Sequence, residues 1–231
     1  MAQKNRRAYA LGMILVLLCI FVIPCVSAYN DCLVDRTRAY QDPTEPALTN
    51  YINARMDETK SSIYNIFWVQ GVSDYSYSST DQDFIGHING LSSSTNIVAV
   101  QSHGGTSGSS SHLTFGDSSY LSASDVDSYL DSGGYFIFAG ACNSAKYSDL
   151  GDAFVDKGFN AYLGYSDSVQ TIFTAKFCSE FFGRAKYLDI PISNAAEYAL
   201  GRVENELGSP GGTENYEIIG DTNLCLAPSN W

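Results

Sequence analysis

Tyr135-Phe-Ile-Phe-Ala-Gly-Ala-Cys142-Asn-Ser-Ala145 is the stretch from which the fold can be read. Its apolar residues run unbroken from Gly133-Gly134 to a polar boundary, and such a run reads as a strand buried on both faces. Strands of that kind lie in the middle of a mostly parallel sheet, whose carboxyl edge is where open α/β sheets receive ligands. Cys142 stands at that edge, behind Gly140 and Ala141, which are too small to screen a thiol. A second apolar run, Asn96-Ile-Val-Ala-Val-Gln-Ser-His103-Gly-Gly105, ends in the same manner with a histidine. If the two strands are neighbours, thiol and imidazole meet at one edge.

Outward from this stretch, helix and strand signals alternate almost throughout, which is the mark of a parallel sheet covered on both faces. Asp42-Pro-Thr-Glu-Pro46 reads as a linker into a helix from about Ala47 to Lys60, where Leu48, Ile52 and Met56 recur at helical spacing. Ser62 to Gly71, rich in aromatic and β-branched residues, predicts a strand. Val72 to Thr80 reads as a Ser/Tyr loop, and Asp81 to Leu91 as a short helix with an acidic start. Gly104 to Ser111 has the composition of a mobile flap. His112 to Leu121 predicts a small hairpin, and Ser122 to Leu130 a capped helix. Beyond Cys142 follow a helix over Asp149 to Lys157 closed by Gly158, and a strand from Phe159 to Tyr165. Helices from Thr171 to Leu188 and Ile192 to Leu207 come next, parted by Pro191. A Gly208 to Gly212 hinge leads to a closing strand from Tyr216. No internal repeat and no second domain is visible, so residues 29–231 are expected to form one domain.

Residues 1–28 read as an export leader. Lys4, Arg6 and Arg7 supply a positive start, Leu11 to Val22 an apolar core, and Val26-Ser27-Ala28 a small-residue cleavage site. Left uncut, the same segment would be a membrane anchor, and either way the chain is expected outside the cell or on its surface. Cleavage removes three basic residues and no acidic one, making the net charge of −12 still more negative. Such a surface repels phosphate backbones, which excludes nucleic acid as a partner. A membrane is a partner only if the leader stays attached. Of six cysteines, Cys19 and Cys25 fall in the leader. Oxidising surroundings favour pairing of the remaining four, but Cys142 at a strand end suits a free thiol. Cys32 and Cys225, near the two ends of the domain, are the expected pair, because chain termini are often close in space. Cys178, on the apolar face of a helix, is expected as a buried thiol. The cysteines and histidines lack metal-ligand spacing, so zinc is not expected. Calcium on the acidic surface is compatible with the charge, although no motif calls for it.

Cysteine and histidine together form a working chemical pair. The thiolate is the nucleophile, and a neighbouring imidazole can take the thiol proton and later protonate a leaving amine. Acyl transfer also needs donors aimed at the developing oxyanion. The backbone N–H groups of Gly104 and Cys142 are the candidates, since glycine lets a substrate carbonyl come close. A serine hydrolase is disfavoured: Gly164-Tyr-Ser166 is no complete nucleophile elbow, and no histidine follows Ser166. His112, Tyr165 and Asp167 lie near the proposed edge and could line a substrate pocket, Asp167 by meeting a basic side chain. His87, on a short amphipathic helix, reads as a surface or hydrogen-bonded histidine.

The strand ending in Ser102-His103-Gly104-Gly105, and later Phe136-Ile-Phe-Ala-Gly-Ala-Cys142-Asn-Ser, resemble the His-Gly and Ala-Cys motifs of caspase-fold cysteine peptidases. The chain is most similar to the gingipain-like family. The helix from Asp149 leading into Ala161-Tyr-Leu-Gly-Tyr165 agrees, as do the long helix from Thr171 and the closing Tyr216-Glu-Ile-Ile-Gly-Asp-Thr222. Thr222 stands where that family usually has proline. The resemblance covers roughly Ser62 to Leu226. It implies a three-layer α/β/α sandwich with a mostly parallel central sheet, a His103/Cys142 dyad, and endopeptidase activity on a peptide or protein substrate without a required cofactor. The competing expectation is a non-catalytic caspase-like module that serves as a surface binding or scaffold domain.

Overall fold

The computed structural model describes residues 31–41, 44–91, 96–208 and 212–230. The leader expected over 1–28 lies outside the described residues, as does the centre of the Gly208 to Gly212 hinge. In chain order the elements are β1 (Cys32–Asp35), α1 (Arg38–Gln41), α2 (Pro46–Tyr64), β2 (Val72–Tyr75), α3 (Asp81–Asn89) and β3 (Ile97–Gln101). There follow β4 (His103–Ser107), β5 (Ser110–Thr114), β6 (Tyr120–Leu121), α4 (Ala123–Tyr129), β7 (Phe136–Gly140) and α5 (Asp149–Asp156). The chain closes through β8 (Ala161–Tyr165), α6 (Thr171–Ala185), α7 (Ile192–Leu207) and β9 (Tyr216–Gly220).

Among the described residues, a six-stranded sheet runs in the order β2-β1-β3-β7-β8-β9. Its pairs are parallel except β8 with β9. Alternation along each strand feeds two cores. Val34, Ala99, Phe136, Phe138 and Leu163 face α2, α6 and α7, whereas Leu33, Val98, Ile137, Ala139 and Tyr162 face α3, α4 and α5. The molecule is therefore the expected three-layer α/β/α sandwich, with strands buried on both sides because both sides carry helices. No helix among the described residues is long and apolar enough to cross a membrane.

Three expectations need correction. Ser62 to Gly71 is not a strand: α2 continues to Tyr64, because Ile52, Met56, Thr59 and Ile63 prolong one buried helical stripe. Ile66 and Val69 then fill the core from turns, and the edge strand β2 falls in the segment read as a loop. Second, Gly104 to Ser111 is no loose flap. It forms β4 and the start of β5, paired antiparallel from His103↔Thr114 to Ser107↔Ser110. Gly108, at φ 61°, takes the first central position of the two-residue turn, where a II′ hairpin requires glycine. Third, Cys32 and Cys225 form no disulfide; both are free thiols, and Cys32 is sealed within β1.

Candidate active site

Register places the two predicted residues. Gln101 of β3 lies opposite Gly140 of β7, and the Ser102 N–H donates to the Gly140 carbonyl at 3.3 Å. His103 and Cys142 each follow two positions beyond that rung, so they leave adjacent parallel strands at the same carboxyl edge. The backbone just past His103, at Gly104, comes close against the Cys142 peptide. A Cβ built on Gly104 would lie 2.5 Å from the Cys142 carbonyl oxygen and 2.9 Å from the Ala141 Cβ. Glycine here answers a close approach rather than a need for flexibility.

The turn that carries Cys142 is bolted to β8. Asn143, in the left-handed region at φ 54°, donates its N–H to the Asp167 carbonyl at 3.0 Å. The Ser144 hydroxyl donates to the Ala139 carbonyl and accepts the Tyr165 N–H, both at 3.0 Å. The Ala145 N–H donates to the Tyr165 carbonyl at 2.9 Å, and the Tyr162 hydroxyl to the Ser144 carbonyl at 2.8 Å. The thiol itself is partly exposed and free. Its sulfur accepts from the Val169 N–H and can donate to the Val169 carbonyl, both at 3.4 Å.

The hairpin bearing His103 is held at both ends. At its base the His103 N–H donates to Gln41 Oε1 at 3.0 Å, and Gln41 Nε2 donates to the Thr114 carbonyl at 2.8 Å. At its tip the Ser110 hydroxyl donates to Asp149 Oδ2, and the Ser111 N–H to Asp149 Oδ1 at 3.1 Å. Tyr147 and Ser111 add a reciprocal pair: the Ser111 hydroxyl donates to the Tyr147 carbonyl at 3.2 Å and accepts the Tyr147 N–H at 3.0 Å. The His103 side chain stands exposed at the edge.

The three residues expected to line a pocket part company. His112, half-buried on β5, packs at a tilt against Tyr120 with ring centroids 4.3 Å apart, and its Nε2 would lie 3.1 Å from a Cβ on Gly105. Burial pulls its imidazole below the usual 6.5, which favours the neutral ring. Asp167 is exposed beside Asn143. Tyr165 must be withdrawn from the pocket. Its side chain is fully buried against Phe138 and Phe177, and its hydroxyl accepts from Thr174 Oγ1 at 3.1 Å. A strand covered on both faces buries even its last residue.

His87 lies elsewhere, stacked on Tyr75 at 3.6 Å with Nδ1 3.3 Å from the Ser78 hydroxyl. Gln41 and Val169 escaped sequence reading altogether. One is a glutamine in a single helical turn, and the other contributes only backbone, so neither leaves a pattern. Among the described residues, no group of three or more His, Cys, Asp or Glu is placed to hold a metal ion.

No protein-family model matches the chain. An uncharacterized protein of Archaeoglobus fulgidus is 50% identical over 186 residues, spanning 78% of this chain and 96% of that relative. The solved complex of the pro- and mature domains of Porphyromonas gingivalis RgpB aligns with a TM-score of 0.59 and 13% identity, over 85% of this chain and 48% of that one. The Arg-specific cysteine proteinase gingipain R gives a TM-score of 0.58 at 13% identity, over 86% and 48%. The Drosophila initiator caspase Dronc gives 0.52 at 12% identity, over 88% and 85%. The chain thus spans about half the length of the two gingipain chains. At such identities the likeness is one of fold: a caspase-like α/β sandwich whose neighbours include cysteine peptidases.

Proposed function

This chain belongs to one family with the uncharacterized Archaeoglobus fulgidus protein, and we propose that it is an exported cysteine endopeptidase working through His103 and Cys142. The observation that supports this most is the shared edge. Two residues beyond one rung of adjacent parallel strands stand an imidazole and a free, partly exposed thiol.

In this reading His103 takes the Cys142 proton, and the sulfur attacks the scissile carbonyl to form a tetrahedral intermediate. The Gly104 and Cys142 N–H groups receive the oxyanion. Collapse expels the amine, which takes the proton from His103, and leaves a thioester. Water, deprotonated by His103, then hydrolyses the thioester and restores the thiol. Asp167 and His112 flank the edge and are the side chains proposed to meet the substrate, Asp167 favouring a basic group.

The test is turnover of a peptide library by the purified chain. Cys142→Ala should reduce activity to background, and His103→Ala should lower kcat/KM by roughly 10²–10⁴-fold. Undiminished cleavage by either variant would falsify the dyad. A folded wild-type chain with no turnover and no labelling of Cys142 by a thiol-directed substrate analogue would instead leave a binding or scaffold module.

A further inference from the structure

We infer that Gln41 is a positioning residue for His103, acting through its backbone; this rests on the peptidase reading above. His103 and Thr114 are the last register partners of the β4–β5 ladder. The Gln41 carboxamide spans them, accepting from the His103 N–H at 3.0 Å and donating to the Thr114 carbonyl at 2.8 Å. A primary amide presents an acceptor and a donor as a peptide unit does, so Gln41 serves as an added rung at the base of the hairpin.

The platform behind that rung is firmly built. Asp35, fully buried at the end of β1, accepts from the Thr37 N–H at 2.9 Å, from Thr37 Oγ1 at 2.6 Å and from the Ser78 hydroxyl. Thr37 Oγ1 in turn accepts the Ser78 N–H at 2.8 Å. Arg36 pairs with Asp57 at 3.0 Å and Asp74 at 2.8 Å. Thr49 of α2 donates its hydroxyl to the Ala39 carbonyl at 2.8 Å, fixing α1 itself. Polar contacts thus anchor the segment on both sides of α1, and from that anchored turn one glutamine grips the peptide of the proposed base. Such supporting contacts set geometry, and a displacement of about 1 Å in a catalytic group can cost about 10²-fold in rate.

The experiment uses the full chain with Gln41→Ala and Gln41→Glu, reading steady-state kinetics on a peptide substrate and amide hydrogen exchange. Gln41→Ala should lower kcat about 10²-fold with little change in KM, and should speed exchange at the His103 amide while β3 and β7 amides stay protected. Gln41→Glu keeps the acceptor for His103 but sets an oxygen against the Thr114 carbonyl. It should retain His103 protection and recover part of kcat. An unchanged kcat or unchanged His103 exchange in Gln41→Ala overturns the inference. So does a loss of protection that spreads into β3 and β7, which would make the effect merely structural. If the wild-type chain shows no turnover dependent on Cys142, the peptidase reading fails and takes the inference with it. If turnover needs Cys142 and His103 but ignores Gln41, the inference alone falls.

Discussion

The four cysteines among the described residues differ sharply in what surrounds them. Burial pushes the thiols of Cys32 and Cys178 up to about 12, so both stay protonated and shielded at neutral pH. Cys142 and Cys225 are only partly covered. Alkylation of the native chain, followed by peptide mass mapping, should therefore mark Cys142 and Cys225 and reach Cys32 and Cys178 only after denaturation. A second residue-scale expectation concerns Asp35. Desolvation lifts its carboxyl above the ordinary 3.8, against the opposing hydrogen bonds from Ser78 and Thr37 and the nearby His87. The folded chain then holds that proton more tightly than the unfolded chain. The stability this group contributes is full in acid and declines as pH rises from about 3.8 through the higher folded value. Asp35→Asn, which cannot ionise, should flatten that decline in thermal melts from acid to neutral pH; parallel curves would assign it to other groups. His103 and Cys142 were legible because each closes an apolar run. Gln41 was not, since a single helical turn has no period. Tyr165 was misplaced because a strand covered on both sides offers no alternation to show which residues face out.

At the scale of elements, the β4–β5 hairpin and the Cys142 turn meet backbone to backbone, and adjacent glycines there carry unequal loads. A Cβ on Gly104 would press on the Cys142 carbonyl at 2.5 Å, whereas one on Gly105 would meet only the tip of His112 at 3.1 Å. Gly104→Ala should cost about 1–3 kcal/mol and depress the proposed turnover. Gly105→Ala should cost less than about 1 kcal/mol. Denaturant midpoints of the two variants check the contrast, and equal losses would mean that the two loops are not in register as described. The same contact explains why Gly104 to Ser111 was read as loose. Glycine and serine composition cannot separate chain that must bend from chain that must lie close to its neighbour. The helix over Ile192–Leu207 was legible to the residue because its apolar spacing and Pro191 agree. The end of α2 was not, because Ile63 and Ile66 fit a strand by propensity and a helix by period.

For the whole molecule, the central sheet divides two cores, and Phe138 sits at the middle of one. Its ring lies 5.8 Å from Phe181 and 6.1 Å from both Phe177 and Phe182. Phe138→Ala should destabilise the fold by about 3–5 kcal/mol, read from chemical denaturation. Because β7 leads straight into the turn that bears Cys142, the proposed turnover should fall together with stability; full turnover in a destabilised variant would show that the edge holds its shape without its core. Alternating strand and helix signals made the layered architecture legible from the chain alone. The far edge was not, because β1 has only four residues and β2, Val-Ser-Asp-Tyr, is a partly covered edge strand without an apolar run.

The strap at the hairpin tip has one more consequence. From Cys142 the chain runs to Asp149, across to Ser110 and Ser111, back along the hairpin to His103, and from Gly104 to the Cys142 peptide again. This is a closed circuit, joined partly by covalent bonds and partly by contacts. A nick in the exposed turn at Gly108-Ser109 would cut the polymer and leave the circuit shut, with one severed strand moored by Gln41 and the other by Asp149.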